Sequence, residues 1–351
     1  MKKEVQILLA CFLLSVLFTA CKSMSYFGIE TYTPAEVTFP GNVKAVVIAD
    51  NALNQPSGFG KETDVADEKR NDNPVDTDSI TYFAAQALAK TLYDSKFFDH
   101  VMLYKDPVRT QGPFYSDVKL LPEQVSLISG RTNADAVISI DRLLFNAEKE
   151  LISLENNYEL GGMIIRVSGV LRVYLPDKNE PLSTLYVSDS VKCWIGTGNV
   201  PGADGVNIFS DKDALRYAVM ETLYRTRSRF IPYWTPEERC FYKQVGSRWI
   251  EASVYARNEK WDEAAGRWLN IFQSAGKNTT KAMAAYNMAL YYELKGDFPE
   301  ALDWAEKSLS LFEEHYKEKK QHANVKQAKS YVDILTKRIE IDKKINVQLG
   351  K

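Results

Sequence analysis

The sequence predicts an α+β protein in which a small α/β domain with a mixed sheet precedes an all-α helical domain. Two stretches, 163–175 and 185–195, alternate apolar and polar residues with the period of two that a half-buried strand requires. Beyond about residue 233, apolar residues recur at the helical spacing of three and four. This change of period along one chain is the observation on which the predicted fold class rests.

Size and composition limit the possible functions. The chain has 351 residues, which is long enough for two domains that each bury a core. Its formal net charge is −2 with 26% charged residues, so it lacks the basic excess that attracts nucleic acid. A hydrophobic content of 45% with 12% aromatic residues indicates a folded globular protein. We therefore expect no nucleic-acid partner.

Residues 1–20 are expected to be a signal peptide. Two lysines precede the apolar run 5–20, which is too short for a membrane span and suits a signal-peptide core. The run ends in Leu-Phe-Thr-Ala-Cys, which resembles the lipobox of bacterial lipoproteins and implies acylation of Cys21. The alternative is an ordinary cleaved signal peptide in which Cys21 is incidental.

The acyl chains on Cys21 would be the only membrane anchor, because no later run approaches the roughly 18 apolar residues of a spanning helix. Residues 21–40 are then predicted to be a polar tether. Surface lipoproteins of the Bacteroidota usually carry an acidic cluster after the cysteine, whereas here the first acid is Glu30. By that resemblance we expect a lipid-anchored protein of the cell envelope, in the outer membrane and facing the periplasm.

The α/β domain is predicted to span 41–232. The compact, valine-rich run 43–50 favours a buried strand, and the pair 163–175 and 185–195 favours an antiparallel hairpin around the turn PDKNEP. Asp189 interrupts the apolar face of the second hairpin strand, so we expect either that it pairs with Arg166 or Arg172 across the hairpin or that the local register differs from this alternation. The other predicted elements are helices at 79–95, 121–129 and 212–228 and strands at 100–104, 136–140 and 143–155.

Two long polar loops lie within this domain, at 51–78 and 196–206. Structureless segments of the first loop's length are usually functional or disordered. These loops support the alternative function that we consider, an envelope hydrolase or glycan-binding protein. Its candidate carboxylates are Asp135, Asp141 and Asp189. Structural roles explain them more simply: a turn residue for Asp135, a strand-end or helix-cap residue for Asp141 and an ion pair for Asp189.

The helical domain is predicted to span 233–351. Thr235, Pro236 and Glu238 form a typical helix start, with a capping hydroxyl, a proline at the first position and a glutamate at the third. A lysine-rich helix at about 321–346 has the character of a capping helix.

Within this domain, residues 284–311 form two short amphipathic helices around a tight turn. Gly296 suits the left-handed end of the first helix and Asp297 caps the second. Five residues are expected to pack the two helices together: Ala289, Tyr292, Gly296, Phe298 and Ala301. The stretch closely resembles a tetratricopeptide repeat (TPR), and 249–272 resembles a degenerate second copy.

The repeat resemblance implies a protein-binding function without chemistry. Residues that could line a groove for a protein partner are Tyr286, Tyr291, Trp304 and Phe312, with packing inside the repeats as the alternative. The three histidines do not cluster with cysteines or carboxylates at ligand spacing, so we expect neither a metal nor a cofactor. Cys193 and Cys240 are either a disulfide or two buried thiols.

The order of elements in the first domain, with the Asn-Ala-Asp-Ala-Val-Ile entry at 133–138, resembles the small α/β domain of the Tol translocation protein and of curli-secretion-type lipoproteins. The whole chain, with the Ile-Pro-Tyr-Trp-Thr-Pro-Glu-Glu-Arg segment at 231–239, resembles uncharacterised lipoproteins of the Bacteroidota. The resemblance implies an envelope location and supplies no catalytic residues. We therefore predict a non-catalytic binding or assembly module.

Overall fold

A computed structural model describes residues 24–56, 79–154, 158–195, 208–317, 319 and 322–350. The predicted signal peptide, Cys21 and almost all of the loops 51–78 and 196–206 lie outside these residues. The chain forms two compact units. We call Pro34–Tyr233, with the last residues from Val347, the sheet unit, and the described residues up to Thr33 together with Trp234–Asn346 the helical unit.

The sheet unit contains a six-stranded mixed sheet of order β3-β2-β4-β5-β6-β7. Strand β2 is parallel to both β3 and β4, whereas β4, β5 and β6 run antiparallel to one another and β7 is parallel to β6. This arrangement confirms the predicted α/β domain with its hairpin. The strands are β2 Ala45–Asp50, β3 His100–Leu103, β4 Ala136–Leu154, β5 Tyr158–Tyr174, β6 Ser183–Ile195 and β7 Ile208–Phe209.

Helices cover both faces of this sheet, which explains why β2 is apolar at successive positions. Val46 and Ile48 join the core under α1 and α3, while Val47 and Ala49 join a second core under α2 on the opposite face. The three helices confirm those predicted from the sequence. They are α1 Ile80–Asp94, α2 Pro122–Thr132 and α3 Asp211–Thr226, followed by a short 3-10 turn at Arg227–Arg229.

Strand β4 is longer than predicted. The expected separate strand at 143–155 is a continuation of the strand at 136–140, joined through a register shift between Ile140 and Arg142. Before the shift β4 pairs with both β2 and β5, and beyond it β5 is its only partner among the described residues. A β-bulge of this kind bends a strand and turns its side chains, and here it turns them where β2 ends.

Asp189 pairs with a different partner from the one predicted. Both of its carboxylate oxygens lie 3.2 Å from Nη1 of Arg225 on α3. Because Asp189 lies on the face that α3 covers, it reaches the helix rather than the hairpin. Arg166 pairs with Glu148, and Arg172 is engaged elsewhere.

The helical unit confirms the predicted helical region and is compatible with TPR-like pairs of helices. The first pair is α4 Ser247–Arg257 and α5 Trp261–Ser274, the second is α6 Asn278–Lys295 and α7 Phe298–His315, and α8 Ala323–Gln348 follows. As predicted, α6 ends at Gly296 with φ 78°, and the side chain of Asp297 accepts a hydrogen bond from the backbone N–H of Glu300 at 3.3 Å. Glycine suits this position because it adopts a positive φ without the steric cost of a Cβ atom.

Residues 235–238 were expected to begin a helix, and this expectation is wrong. They lie within strand β8, Tyr233–Tyr242, which pairs with β1, Met24–Thr33. The Thr235 hydroxyl bonds to the Thr33 hydroxyl at 2.8 Å instead of capping a helix. Strand β1 also corrects the predicted tether at 21–40, because residues 24–33 are part of a sheet.

The residues predicted to pack the second pair of helices lie between or beside them. Ala289 and Ala301 are fully buried, so α6 and α7 approach closely there. Tyr292 borders the core, and the Phe298 ring lies 5.4 Å from the guanidinium carbon of Arg338 on α8.

The register shift in β4 leads to a prediction about its neighbour Gly169 on β5. A Cβ atom at Gly169 would lie 3.0 Å from the Arg142 carbonyl oxygen and 3.3 Å from Cδ1 of Leu143. We expect Gly169→Ala to lower the free energy of unfolding by about 1–3 kcal/mol, since backbone must move to admit the methyl group. Urea denaturation measures this change. Gly28→Ala on β1 is the control, because a Cβ there meets nothing within 4 Å, and equal losses in both variants would contradict the prediction.

Candidate functional site

The face of α6 is the first candidate, because it carries the residues predicted to bind a partner. Every residue from Ala282 to Leu290 is buried. A helix that is buried on all sides lies inside a core and presents no open groove. Among the described residues, strand β8 and helix α8 both contact α6.

Strand β8 is held against α6 through Asn287. The side-chain Oδ1 of Asn287 accepts a hydrogen bond from the backbone N–H of Tyr242 at 2.7 Å, and its Nδ2 donates to the Tyr242 carbonyl oxygen at 2.8 Å. A side-chain amide offers the same donor and acceptor as a backbone amide. Asn287 therefore takes the place of a neighbouring strand along this part of β8.

A buried ion pair also holds β8 against α6, nearly two turns of α6 beyond Asn287. Arg239 donates to Glu293 from Nη2 at 2.7 Å and from Nε at 3.0 Å, and both side chains are almost completely buried. Tyr331 on α8 donates its hydroxyl to the other Glu293 oxygen at 2.7 Å. Glu237 approaches Arg239 Nη2 at 2.6 Å.

Burial and charge act in opposite directions on these groups. Burial alone would lower the pKa of Arg239, but the hydrogen bonds and negative charges of Glu293 and Glu237 outweigh it and raise this pKa above its ordinary value. Burial, reinforced by the charge of Glu293, raises the pKa of Tyr331 well above its ordinary value. The arginine stays charged and the tyrosine stays a donor at any physiological pH.

Three of the four predicted partner-binding residues are core residues. Phe312 is 0% exposed, Tyr286 is 2% exposed and Trp304 is 9% exposed. Their prediction as groove residues is corrected, because a buried ring offers no surface to a partner. Tyr291 is half-buried, and its hydroxyl donates to Asp262 at 2.9 Å.

The residues that organise this face were missed in the sequence. Asn287 and Glu293 stand within an otherwise apolar stretch of α6, and a polar residue inside such a stretch is a signal for a buried partner. The partner strand could not be found in the same way, because residues 235–238 match a helix start.

The buried pair of Arg239 and Glu293 predicts that removing one charge costs more stability than removing both. Arg239→Met should lower the free energy of unfolding by about 3–5 kcal/mol, because Glu293 keeps a buried charge without its partner. The double variant Arg239→Met/Glu293→Met should lose less than Arg239→Met alone, since it removes both charges. Urea denaturation of the wild type, both single variants and the double variant measures the coupling. Additive losses would contradict a direct pair.

A second polar cluster lies in the sheet unit, where β2 ends and β4 shifts register. Asp141 is 0% exposed and accepts hydrogen bonds from Arg172 Nη1 at 2.5 Å, from the Ser139 hydroxyl at 2.6 Å and from Asn51 Nδ2 at 2.9 Å. The carboxyl ends of parallel strands are where ligands bind in many α/β sheets. We call this group, with Asp50, Arg109, Asp117 and Arg142, the edge cluster.

The edge cluster fixes the segment 115–118 onto the sheet. Asn51 and three arginines each approach one of four consecutive backbone carbonyl oxygens of this segment. The distances are 3.5 Å from Arg142 Nη1 to Tyr115, 3.1 Å from Arg109 Nη1 to Ser116, 3.1 Å from Arg172 Nη1 to Asp117 and 2.7 Å from Asn51 Nδ2 to Val118. The Asp117 carboxylate also pairs with Arg172 at 2.8 Å.

Asp50 is a carboxyl group of this cluster whose acidity is weakened by its surroundings. Burial raises the pKa of Asp50 to about 6, even though hydrogen bonds from the Thr81 hydroxyl at 2.8 Å and the Ala52 N–H at 3.2 Å and the charge of Arg109 act to lower it. Burial also raises the pKa of Asp141. No ion-pair partner of Asp50 lies within 4 Å among the described residues.

The three carboxylates considered for catalysis have separate structural roles. Asp135 Oδ2 accepts hydrogen bonds from the backbone N–H groups of Lys44 and Ala45 at 2.8 Å each, at the start of β2. Six strand positions separate it from Asp141, a distance of about 20 Å. Asp189 pairs with α3 as described above. The structure does not bring Asp135 and Asp141 together.

The two described cysteines do not form a disulfide. Cys193 and Cys240 are free, buried thiols, and burial raises the pKa of each. Within the described ranges there is no group of three or more metal-ligating side chains, and no helix there is both long and apolar enough to cross a membrane.

The raised pKa of Asp50 predicts how stability depends on pH. Its folded-state pKa exceeds the ordinary value, so the folded protein binds more protons, and this group stabilises the fold as the pH falls through about 6 towards about 4. At neutral pH, Asp50→Asn should therefore raise the free energy of unfolding by roughly 1–3 kcal/mol, and less at about pH 4. Urea denaturation at both pH values measures the change. Asp177→Asn on the exposed hairpin turn is the control, and it should leave the free energy of unfolding nearly unchanged. An Asp50→Asn variant that is destabilised at neutral pH would contradict the prediction.

Comparison with known proteins places the two parts of the chain in different family models. A model described as a domain of unknown function, DUF8603, matches residues 43–242, and a second domain of unknown function, DUF6340, matches residues 250–337. No curated protein matches the chain.

Three solved structures are distantly similar to the chain. The PelC dodecamer from Paraburkholderia phytofirmans is 10% identical, with 57% of this chain and 96% of that chain covered and a TM-score of 0.23. A proposed neuraminyllactose-binding hemagglutinin homologue from Helicobacter pylori is 16% identical, with 55% and 84% covered and a TM-score of 0.26. The hypothetical protein CT253 from Chlamydia trachomatis is 14% identical, with 54% and 98% covered and a TM-score of 0.24. TM-scores this low support no further argument.

Proposed function

The chain belongs to the family of the domain of unknown function DUF8603, and because that description names no activity, we propose its function from the geometry of the described residues. We propose that it is a lipid-anchored protein of the cell envelope that acts as a non-catalytic binding or assembly module. Its TPR-like helical unit provides the surface that contacts another protein.

The observation that carries this proposal is the apolar outer face of α4, the first helix of the array. Val254 is 48% exposed and Ile250, one turn earlier, is 56% exposed, while Val245 in the preceding turn is 91% exposed. Helical arrays need end helices with polar outer faces to remain soluble. An apolar end face therefore indicates a surface that another molecule covers.

The chemistry of this surface favours a helix from a partner protein as its occupant. In a helical array, the outer face of the first helix is where a preceding helix would pack, and side chains one turn apart form the ridge that packs against it. We therefore propose that an amphipathic helix of an envelope protein docks on Ile250 and Val254. The face of α6 does not compete for this role, since the chain's own strand β8 contacts it.

The predicted anchor is compatible with this placement. Strand β1 begins at Met24, three residues after Cys21. Three residues of extended chain span at most about 11 Å. If Cys21 is acylated, the helical unit therefore lies close to the membrane surface, where a partner would be an envelope protein. Loss of membrane association in Cys21→Ser tests the anchor separately.

Site-specific photocrosslinking tests the proposed surface. A photoreactive phenylalanine analogue in place of Ile250 should yield one discrete adduct with an envelope protein at normal expression, because the partner's apolar side chains would contact it. Val254→Asp in the same chain should abolish the adduct, since a carboxylate is strongly disfavoured in an apolar contact. Mass spectrometry of the adduct identifies the crosslinked segment, which we expect to be helical.

The matched control is the same analogue in place of Leu127. This residue is 51% exposed on α2 of the sheet unit, so it presents a similar amount of apolar surface without belonging to the proposed face. It should not give the adduct seen at Ile250. Identical adducts from both positions, or none from Ile250 in a normally folded protein, would contradict the proposed surface.

A further inference from the structure

The outer face of α3 carries two arginines without a carboxylate partner. Arg216 lies in the first half of this helix, and Arg227 directly follows its last residue. Neither forms an ion pair with a carboxylate of the described residues, whereas Arg225 and Arg229 beside them both do. The acidic residues of α3 near them in the sequence are used elsewhere, because Asp213 accepts a hydrogen bond from a serine hydroxyl at 2.6 Å and Glu221 pairs with Arg225.

An aromatic ring supports each of the two guanidinium groups. The guanidinium carbon of Arg216 lies 5.5 Å from the centre of the Phe83 ring on α1, and that of Arg227 lies 4.3 Å from the centre of the Tyr224 ring. These cation–π contacts restrict the side chains without neutralising their charge. An arginine that is already restricted loses less conformational entropy when it binds a carboxylate.

Two exposed apolar side chains lie between these arginines. Met220 is 44% exposed and Tyr224 is 47% exposed. Steps of four, four and three residues lead from Arg216 through Met220 and Tyr224 to Arg227, and such steps keep side chains on one side of a helix. Arg227 keeps the pattern because its backbone is still helical, with φ −54° and ψ −37°. We call these four residues the α3 ridge.

The spacing of the charges indicates what kind of partner fits the α3 ridge. Eleven residues of helix rise about 16 Å, which is close to three full turns. A second helix that packs along α3 and carries two carboxylates eleven residues apart would therefore place both on one face, at the same spacing as the two arginines. Apolar residues of that helix between its carboxylates would meet Met220 and Tyr224.

A lipid surface fits the α3 ridge less well than a helix does. Helices that lie on membranes insert a large apolar face between the lipids. The large apolar face of α3 is already part of the core of the sheet unit, through Leu215, Val219 and Leu223. Two half-exposed side chains remain outside, and they suit a narrow contact with one helix.

We propose that the α3 ridge binds an acidic amphipathic helix of a partner protein, with one carboxylate on Arg216 and a second, three turns away, on Arg227. Each contact joins the parallel N–H donors of a guanidinium to the two oxygens of one carboxylate. The ridge lies in the sheet unit, and this proposal does not depend on the proposed surface on α4.

Fluorescence anisotropy of a labelled peptide, titrated with the full-length protein in non-ionic detergent, tests the proposal. The probe is an alanine-rich helical peptide with two glutamates eleven residues apart and a leucine at each of the two intervening turns. It should bind, and the same peptide with both glutamates changed to glutamine should bind roughly tenfold more weakly or not at all. A third peptide has one glutamate moved to the opposite face and should be weakened similarly. No binding of the first peptide, or equal affinity for all three, would overturn the proposal.

Variants of the protein connect the binding to the two arginines. Arg216→Gln/Arg227→Gln should weaken the glutamate peptide roughly tenfold or more. Arg216→Glu/Arg227→Glu should lose the glutamate peptide and bind the peptide that carries lysines instead, which a purely structural role of the arginines would not produce. Arg131→Gln is the matched control, because it removes another exposed, ion-paired arginine and should bind like the wild type. Undiminished binding by a folded glutamine variant, with folding established by thermal unfolding, would overturn the proposal.

Vesicles of phosphatidylglycerol test a lipid surface as the occupant. The Cys21→Ser protein, which has no cysteine to acylate at that position, should not bind them through the α3 ridge. Co-sedimentation that is lost in the additional presence of Arg216→Gln/Arg227→Gln would overturn the assignment to a protein helix.

Discussion

The buried pair of Arg239 and Glu293 is the interaction on which the helical unit depends. Each charge is almost fully removed from solvent, and neither would be stable there without the other. Asn287 completes the attachment by pairing with the backbone of Tyr242. Together they hold the buried end of β8, residues 239–242, against α6.

This attachment changes how the helical unit can bind a partner. In a repeat array, the first helices of the pairs usually line the concave surface, yet here α6 is in contact with β8 and α8 and its aromatic residues are part of the core. An exposed apolar surface lies instead at the end of the array, on α4. The repeats therefore act as a scaffold for one strand of the chain and as a support for the α4 surface.

The features that could be predicted from the sequence are those that a local pattern determines. Alternation alone defines the hairpin, because its period places Ile165, Val167 and Leu171 on one buried face. The turn at Gly296 was also predicted, since few residues adopt its left-handed conformation. Strand β8 could not be predicted, because Thr235 and Pro236 suit a helix start equally well, and the choice is made by pairing with β1, which is distant in sequence.

Charged partners were predictable only in part. That Asp189 needs a cation follows from its place on an apolar face, but its choice of Arg225 depends on how α3 lies over the sheet. The partners within the edge cluster could not be predicted from the sequence either. It gathers side chains from β2, β4, β5 and the segment 106–120, and no spacing in the sequence relates them. The members from β2 and β4 lie where a strand ends or shifts register.

Hydrogen–deuterium exchange of the full-length protein, read by mass spectrometry on peptides that include Tyr242, tests the central claim most directly. The account predicts that the Tyr242 amide is as strongly protected as the amides in the middle of α6, because its N–H is bonded to the buried Asn287 side chain. Asn287→Ala should remove this protection in a protein whose α6 remains protected. Exchange at Tyr242 as fast as in the exposed turns of the wild type would contradict the account, since it would mean that β8 is released and the face of α6 is open to a partner.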